Sequence, residues 1–326
     1  MGRRTGASWK KWVVGVNGVR AGSVLVLVLL QGRPAQAGAE AETISFCGQA
    51  MSHSAIEATC EDEEVTDLRP LARLGGLQSL TLKGSGARDL KPLSGLKALK
   101  FLDLGHTAVK DLSPLKGLDN LEHLFVRDTR IQSIAPLARL TKLTELDIRN
   151  TRVGKLDALS GLILLESLAL RGNPVSDIKP LRRLVKLHTL YLNFTRVSDL
   201  RPLARLSELS TLGLVKTRVR NLGPLKKLKK LSVLYLAGTA IRSIKPISGL
   251  SELITLDLAA TRVTDLSPLA KLTSLQVLGL AGTRPRSLLP LLKLSQLNML
   301  DVQKAAVSAA QLKAVKNKIQ GLEINR

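Results

Sequence analysis

The sequence predicts an α/β solenoid, a stack of near-identical strand-and-return units sharing one parallel sheet. Three observations predict it. Stepping by 22 from Leu77 to Leu297 meets leucine at all eleven positions, with no insertion. The column three residues further on, Leu80 to Leu300, is leucine throughout, and the column five on holds only Leu, Val or Ile. The chain is 44% hydrophobic but only 2% aromatic, so evenly spaced leucine replaces the mixed aromatic core usual in a 326-residue protein. One dominant aliphatic residue allows every layer to fit the next.

Each unit reads L-x2-L-x-L-x2-T-x-V-x2-L-x-P-L-x2-L. The L-x-L alternation has the period of a strand. The later proline, as in Ser113-Pro114 and Ser267-Pro268, suits the start of a helical turn, where its missing N–H would have no partner. Each unit is therefore strand, bend, turn and return. One unit alone has too little apolar surface to offset the ordering of its backbone, so it folds only against its neighbours. Eleven strands at about 4.8 Å each make an inner arc of about 50 Å.

This pattern, over residues 65–307, resembles the leucine-rich repeat family. The unit length and the D-L-x-P-L back half are most similar to its internalin and phosphatase-regulator types. The resemblance implies a right-handed horseshoe, with a parallel concave sheet and short 3₁₀ or extended convex segments. Where the family normally carries Asn, this chain carries Thr107, Thr129, Thr151, Thr195, Thr217, Thr239, Thr261 and Thr283; Asn173 alone matches. An amide can bond backbone groups on two sides, whereas a hydroxyl offers one donor.

Both ends need lids, because a terminal layer would expose its leucines. Four regions are expected. Residues 1–37 are basic, then apolar (VLVLVLL at 24–30), then end in Ala35-Gln36-Ala37, which fits a secretory signal peptide; a disordered basic leader is the alternative. Residues 38–76 form an N-terminal cap with a first half repeat, Val65 to Leu74. Residues 77–304 are the eleven repeats, and 305–326 the C-terminal cap. There Ser308 and Gln311 form a capping box, the following helix turns Leu312, Val315 and Ile319 inward, and GLEINR closes the last strand. The cysteines, Cys47 and Cys60, pair as a disulfide if the chain is exported and are buried free thiols if it is not.

In a horseshoe, the residues two, four, six and seven after each first leucine face the concave side. All five aromatics of the array fall there: Phe101, Phe125, Tyr191, Phe194 and Tyr235. Strand propensity favours such placement, and solvent-facing aromatics also anchor protein interfaces. Arg127, Arg149 and Arg171 stack in successive units, about 5 Å apart. Asp103, Asp128, Glu145 and Asp147 can relieve that repulsion from within, or an anionic group of a partner can. His106 stands beside Asp128 and His123 beside Glu145, spacings that surface hydrogen bonds explain without chemistry. With Lys83, Lys216 and Lys304 against Asp257 and Asp301, the concave offsets balance at six bases and six acids.

The net charge of +23 therefore lies elsewhere. Residues 38–67 carry eight acids and no base, while 68–326 carry +25. Arg130, Arg152, Arg196, Arg218, Arg262 and Arg284 line one rim, a stripe that suits an acidic glycan or an anionic envelope. Nucleic acid is disfavoured, because the aromatics that would stack bases lie on another surface. No phosphate loop, nucleophile elbow or metal-ligand spacing occurs, so the sequence reads as non-catalytic, with no cofactor and no metal. The expected function is an exported bacterial binding module, secreted, periplasmic or on the cell surface. It acts as a monomer, has no transmembrane span in the mature chain, and grips a protein, or second a glycan, on its concave face. The alternative is a cytoplasmic regulatory scaffold of the phosphatase-regulator type.

Overall fold

The structure, a computed structural model, describes residues 43–326. The expected leader over residues 1–37 lies outside the described residues. The chain opens with a hairpin of β1 (Thr43–Phe46) and β2 (Gln49–Ser52). Its two-residue turn, Cys47-Gly48, has positive φ at both positions, as a tight hairpin requires. Then come β3 (Glu57–Thr59), β4 (Ser79–Thr81), β5 (Phe101–Asp103), β6 (His123–Phe125) and β7 (Glu145–Asp147). They are followed by β8 (Ser167–Ala169), β9 (Thr189–Tyr191), β10 (Thr211–Gly213), β11 (Val233–Tyr235) and β12 (Thr255–Asp257). The chain ends with β13 (Val277–Gly279), β14 (Met299–Asp301), helix α1 (Ala309–Lys318) and β15 (Glu323–Asn325). Strands β3 to β15 lie in sequence order in one thirteen-stranded sheet, parallel from β3 through β14.

The sheet begins one unit before the leucine column. β3 pairs with β4 in the common register, Ala58 opposite Leu80. Ala58 and Cys60 thus occupy positions that later units give to leucine, and both are buried. The front half of this first unit was illegible because alanine and cysteine stand in for its leucines. Cys60 is joined to Cys47, so the disulfide ties the β1–β2 hairpin to the first layer of the stack. Ile44 and Phe46 of that hairpin join the buried core and cover it. At the other end α1 begins at the Ser308–Gln311 capping box and buries Leu312 and Val315, with Ile319 following.

Between strands the chain returns through short 3₁₀ segments, most with proline in their first turn. Their start is fixed by a side chain two residues before the first helical N–H: Asp89, Asp111, Asp177, Asp199 and Asp265 accept from Lys91, Ser113, Lys179, Arg201 and Ser267. The Ser113 and Arg201 side chains, together with these backbone hydrogen bonds, hold the carboxyls of Asp111 and Asp199 below the usual range, and the Ser267 backbone N–H, with its side chain, does the same for Asp265.

The threonine column works locally. Thr107 donates to the Leu104 carbonyl at 2.7 Å, and Thr195 to that of Leu192 at 2.7 Å. Asn173 reaches across units: its amide donates to the Ile148 carbonyl of the preceding unit and the Leu170 carbonyl of its own, and accepts from Thr151 and from the Val153 N–H. One residue earlier, from Gly84 to Lys304, every unit has positive φ. Glycine, Asn and Asp suit this position, but Phe194 occupies it too, where a bulky side chain is strained.

Candidate functional site: the two halves of the concave sheet

The third residue of each strand faces the concave side, and register places these residues in one row. From β5 to β14 the row reads Asp103, Phe125, Asp147, Ala169, Tyr191, Gly213, Tyr235, Asp257, Gly279, Asp301. All the sequence-predicted concave residues lie in this row or beside it, but its two halves differ in character.

The N-terminal half is closed upon itself. Arg149 donates through Nε and Nη2 to both oxygens of Asp147, at 2.9 and 2.6 Å. Arg127 Nη2 donates to Asp103 Oδ2 at 3.0 Å, and its Nη1 lies 4.0 Å from Asp147 Oδ2. Phe125 packs between Phe101, with ring centroids 5.4 Å apart, and the Arg127 guanidinium, 5.7 Å from its ring centre. Asn150 donates to Asp128 at 2.8 Å and accepts from Arg171 at 3.4 Å. His123 lies 3.5 Å from Glu145, whose carboxylate raises the imidazole's pKa, and His106 lies 3.6 Å from Asp128.

Two expectations are corrected here. Phe125 is only 4% exposed, so it is not a solvent-facing anchor; Phe101 and Arg127 cover it. Asp147 and Arg149, at 4% and 9% exposed, are likewise buried, as is Asp103. Of the two sources of relief open to the arginine ladder, the internal one is present for Arg127, from Asp103, and for Arg149, from Asp147.

The C-terminal half is open. Tyr191 and Tyr235 are half-buried on either side of Gly213, and burial pushes the Tyr235 hydroxyl up to about 12. Gly213 is needed for close approach: a Cβ there would meet the Tyr191 ring at 2.9 Å and the Asn193 amide at 2.7 Å. Phe194 is 41% exposed, with the Arg171 guanidinium 4.8 Å and the Lys216 ammonium 5.4 Å from its ring centre. Asp257 is 7% exposed. Its Oδ1 accepts the Ala259 N–H at 2.9 Å, and burial pushes its carboxyl up to about 6.

Sequence reasoning counted Asp257 only as one of six balancing acids and missed its isolation. The signal was present: the column that supplies Arg127, Arg149 and Arg171 to the first half supplies Ala237, Ala259 and Ala281 to the second. On the rim, Arg130, Arg152, Arg196, Arg218, Arg262 and Arg284 are all exposed. None of the six has an ion-pair partner among the described residues. No helix of the described residues is long and apolar enough to cross a membrane.

A family model for leucine-rich repeats, in two copies, matches residues 119–161 and 163–205. No match is found among curated proteins. Among solved structures, an internalin (inlF) of Listeria monocytogenes is similar at 23% identity and a TM-score of 0.74, over 85% of this chain and 89% of that one. A leucine-rich repeat protein of Leptospira interrogans gives 20% identity and a TM-score of 0.70, over 79% and 74%. Internalin C2 of Listeria monocytogenes is 30% identical with a TM-score of 0.54, over 62% of this chain and 88% of its own. Repeat length, sheet, 3₁₀ returns and this identity agree: the chain belongs to the leucine-rich repeat family, with repeats of the internalin type.

Proposed function

We propose that the chain is an exported, non-catalytic binding module that grips a protein partner with the C-terminal half of its concave sheet. One observation carries the reading: Tyr191, Phe194 and Tyr235 stand outside the leucine core on a preformed surface, and nothing among the described residues fully covers them. Aromatic side chains on a rigid sheet bind with little loss of freedom. The Cys47–Cys60 disulfide supports export, since such bonds persist in oxidising compartments and not in the cytoplasm of most cells. A mature N-terminus at Gly38 would agree with export, and an intact Met1 would contradict it. The unpaired rim arginines suit a secondary contact with an acidic glycan or anionic envelope, checked by salt-sensitive retention on a sulfated-glycan resin.

The direct test replaces Tyr191 and Tyr235 together with Ala and measures capture of the partner that the wild-type chain retains. Capture is expected to fall at least tenfold while the melting curve barely moves. Unchanged capture would overturn the reading.

A further inference from the structure

The concave row contains its own template for a missing group. A shift of five 22-residue units carries Phe125 and Asp147 onto Tyr235 and Asp257. Each pair consists of an aromatic and an aspartate on adjacent strands in the same register. The local turn is also the same: Asp147 Oδ1 accepts the Arg149 N–H at 3.1 Å, and Asp257 Oδ1 accepts the Ala259 N–H at 2.9 Å. What changes is the cation. The same shift carries Arg127 and Arg149, which flank Asp147, onto Ala237 and Ala259. The first half thus holds aromatic, aspartate and guanidinium, and the second holds aromatic, aspartate and space.

The remaining described surroundings of Asp257 supply no positive charge. Tyr235 faces it from β11 and Gly279 from β13, while Asp301 on β14 adds a like charge. Among the described residues no cation lies within ion-pair distance of Asp257, and no donor reaches its Oδ2. A carboxylate drawn from water without a cation weakens the fold, and a cation arriving from outside would relieve it.

We propose that Asp257 receives a guanidinium from the protein partner, an arginine side chain seated over Ala237 and Ala259 beside Tyr235, where the first half seats its own. This rests on the reading that the C-terminal concave half binds protein, and it names the chemistry that half selects.

The test fills the site from within. Ala259→Arg in the full chain places a guanidinium where Arg149 stands relative to Asp147. The Asp257 midpoint, followed by carboxyl NMR, is expected to fall from about 6 toward the ordinary 3.8, and partner capture to drop at least tenfold. N-acetyl-arginine methylamide should lower the same midpoint in the wild-type chain but not in the Ala259→Arg chain. Its citrulline counterpart, neutral and nearly isosteric, should do neither. The inference is overturned if the arginine and citrulline compounds act alike, or if Ala259→Arg leaves the midpoint in place. Capture that is lost in the tyrosine variant but intact in Ala259→Arg would remove this inference and leave the proposed function standing.

Discussion

The two halves of the concave sheet share a backbone, a register and an aspartate-bearing turn, yet one pairs its aspartates with arginines and the other does not. In the first half, Arg127 and Arg149 lie over Asp103 and Asp147, and Phe125 is sealed beneath Phe101 and Arg127. In the second, alanine replaces arginine, the tyrosines stay half-open and Asp257 has only a backbone hydrogen-bond partner among the described residues. The repeat therefore dictates where a side chain points but not whether its charge is answered. Within one solenoid, identical geometry serves stability at one end and presents unmet chemistry at the other. Residues that cost stability without an internal reason are candidates for binding.

The largest effect should come from breaking the closed half. Arg149→Ala leaves the Asp147 carboxylate, 4% exposed, without its bidentate partner. Uncompensated buried charge typically costs about 3–5 kcal/mol. Arg127, 4.0 Å away, softens the loss, so about 3 kcal/mol is expected by denaturant unfolding. A loss below about 1 kcal/mol would mean that the network is surface decoration.

In the open half the sign reverses. The Asp257 carboxyl is raised from 3.8 to about 6, so the folded chain holds this proton more tightly than the unfolded chain does. Its contribution is fully present below the unfolded value and lost as pH rises through about 6. Asp257→Asn should therefore stabilise the protein, by about 3 kcal/mol at most, above pH 6, with the advantage vanishing by about pH 4. Melting curves of both chains across that window check it. An advantage independent of pH would show that burial of charge is not the cause.

The fold was legible because its determinant is periodic. The unbroken leucine columns predict the strand positions from Leu77 onward, and proline and threonine predict the return and the turn. The first strand was not legible, because Ala58 and Cys60 fill leucine positions and only register with β4 reveals them. The site was half legible. Offsets place Phe125 and Tyr191 on the same face, but whether an aromatic is sealed depends on which neighbour leans over it, and that is decided across units. Phe101 and Arg127 close over Phe125, while Tyr191 lies close against Gly213 and stays half-buried. Likewise, Asp147 and Asp257 look alike until the residue two positions on is compared.

The smallest expected effect on stability separates folding from binding most cleanly. Phe194 occupies a left-handed turn position that four other units give to glycine, at Gly84, Gly172, Gly238 and Gly282. Phe194→Gly removes about 1–2 kcal/mol of backbone strain. It forfeits two cation–π contacts, with Arg171 and Lys216, of about 0.5–1 kcal/mol each at an exposed site. Glycine also adds about 0.5–1 kcal/mol of unfolded-state freedom. These terms nearly cancel, so the melting temperature should stay within a degree or two. An exposed phenylalanine held between two cations at no net gain in stability would then support the proposed binding surface. Capture of the partner should weaken several-fold in Phe194→Gly. If capture is unaffected while stability holds, the ring is dispensable to both, and the open half narrows to Tyr191, Tyr235 and Asp257.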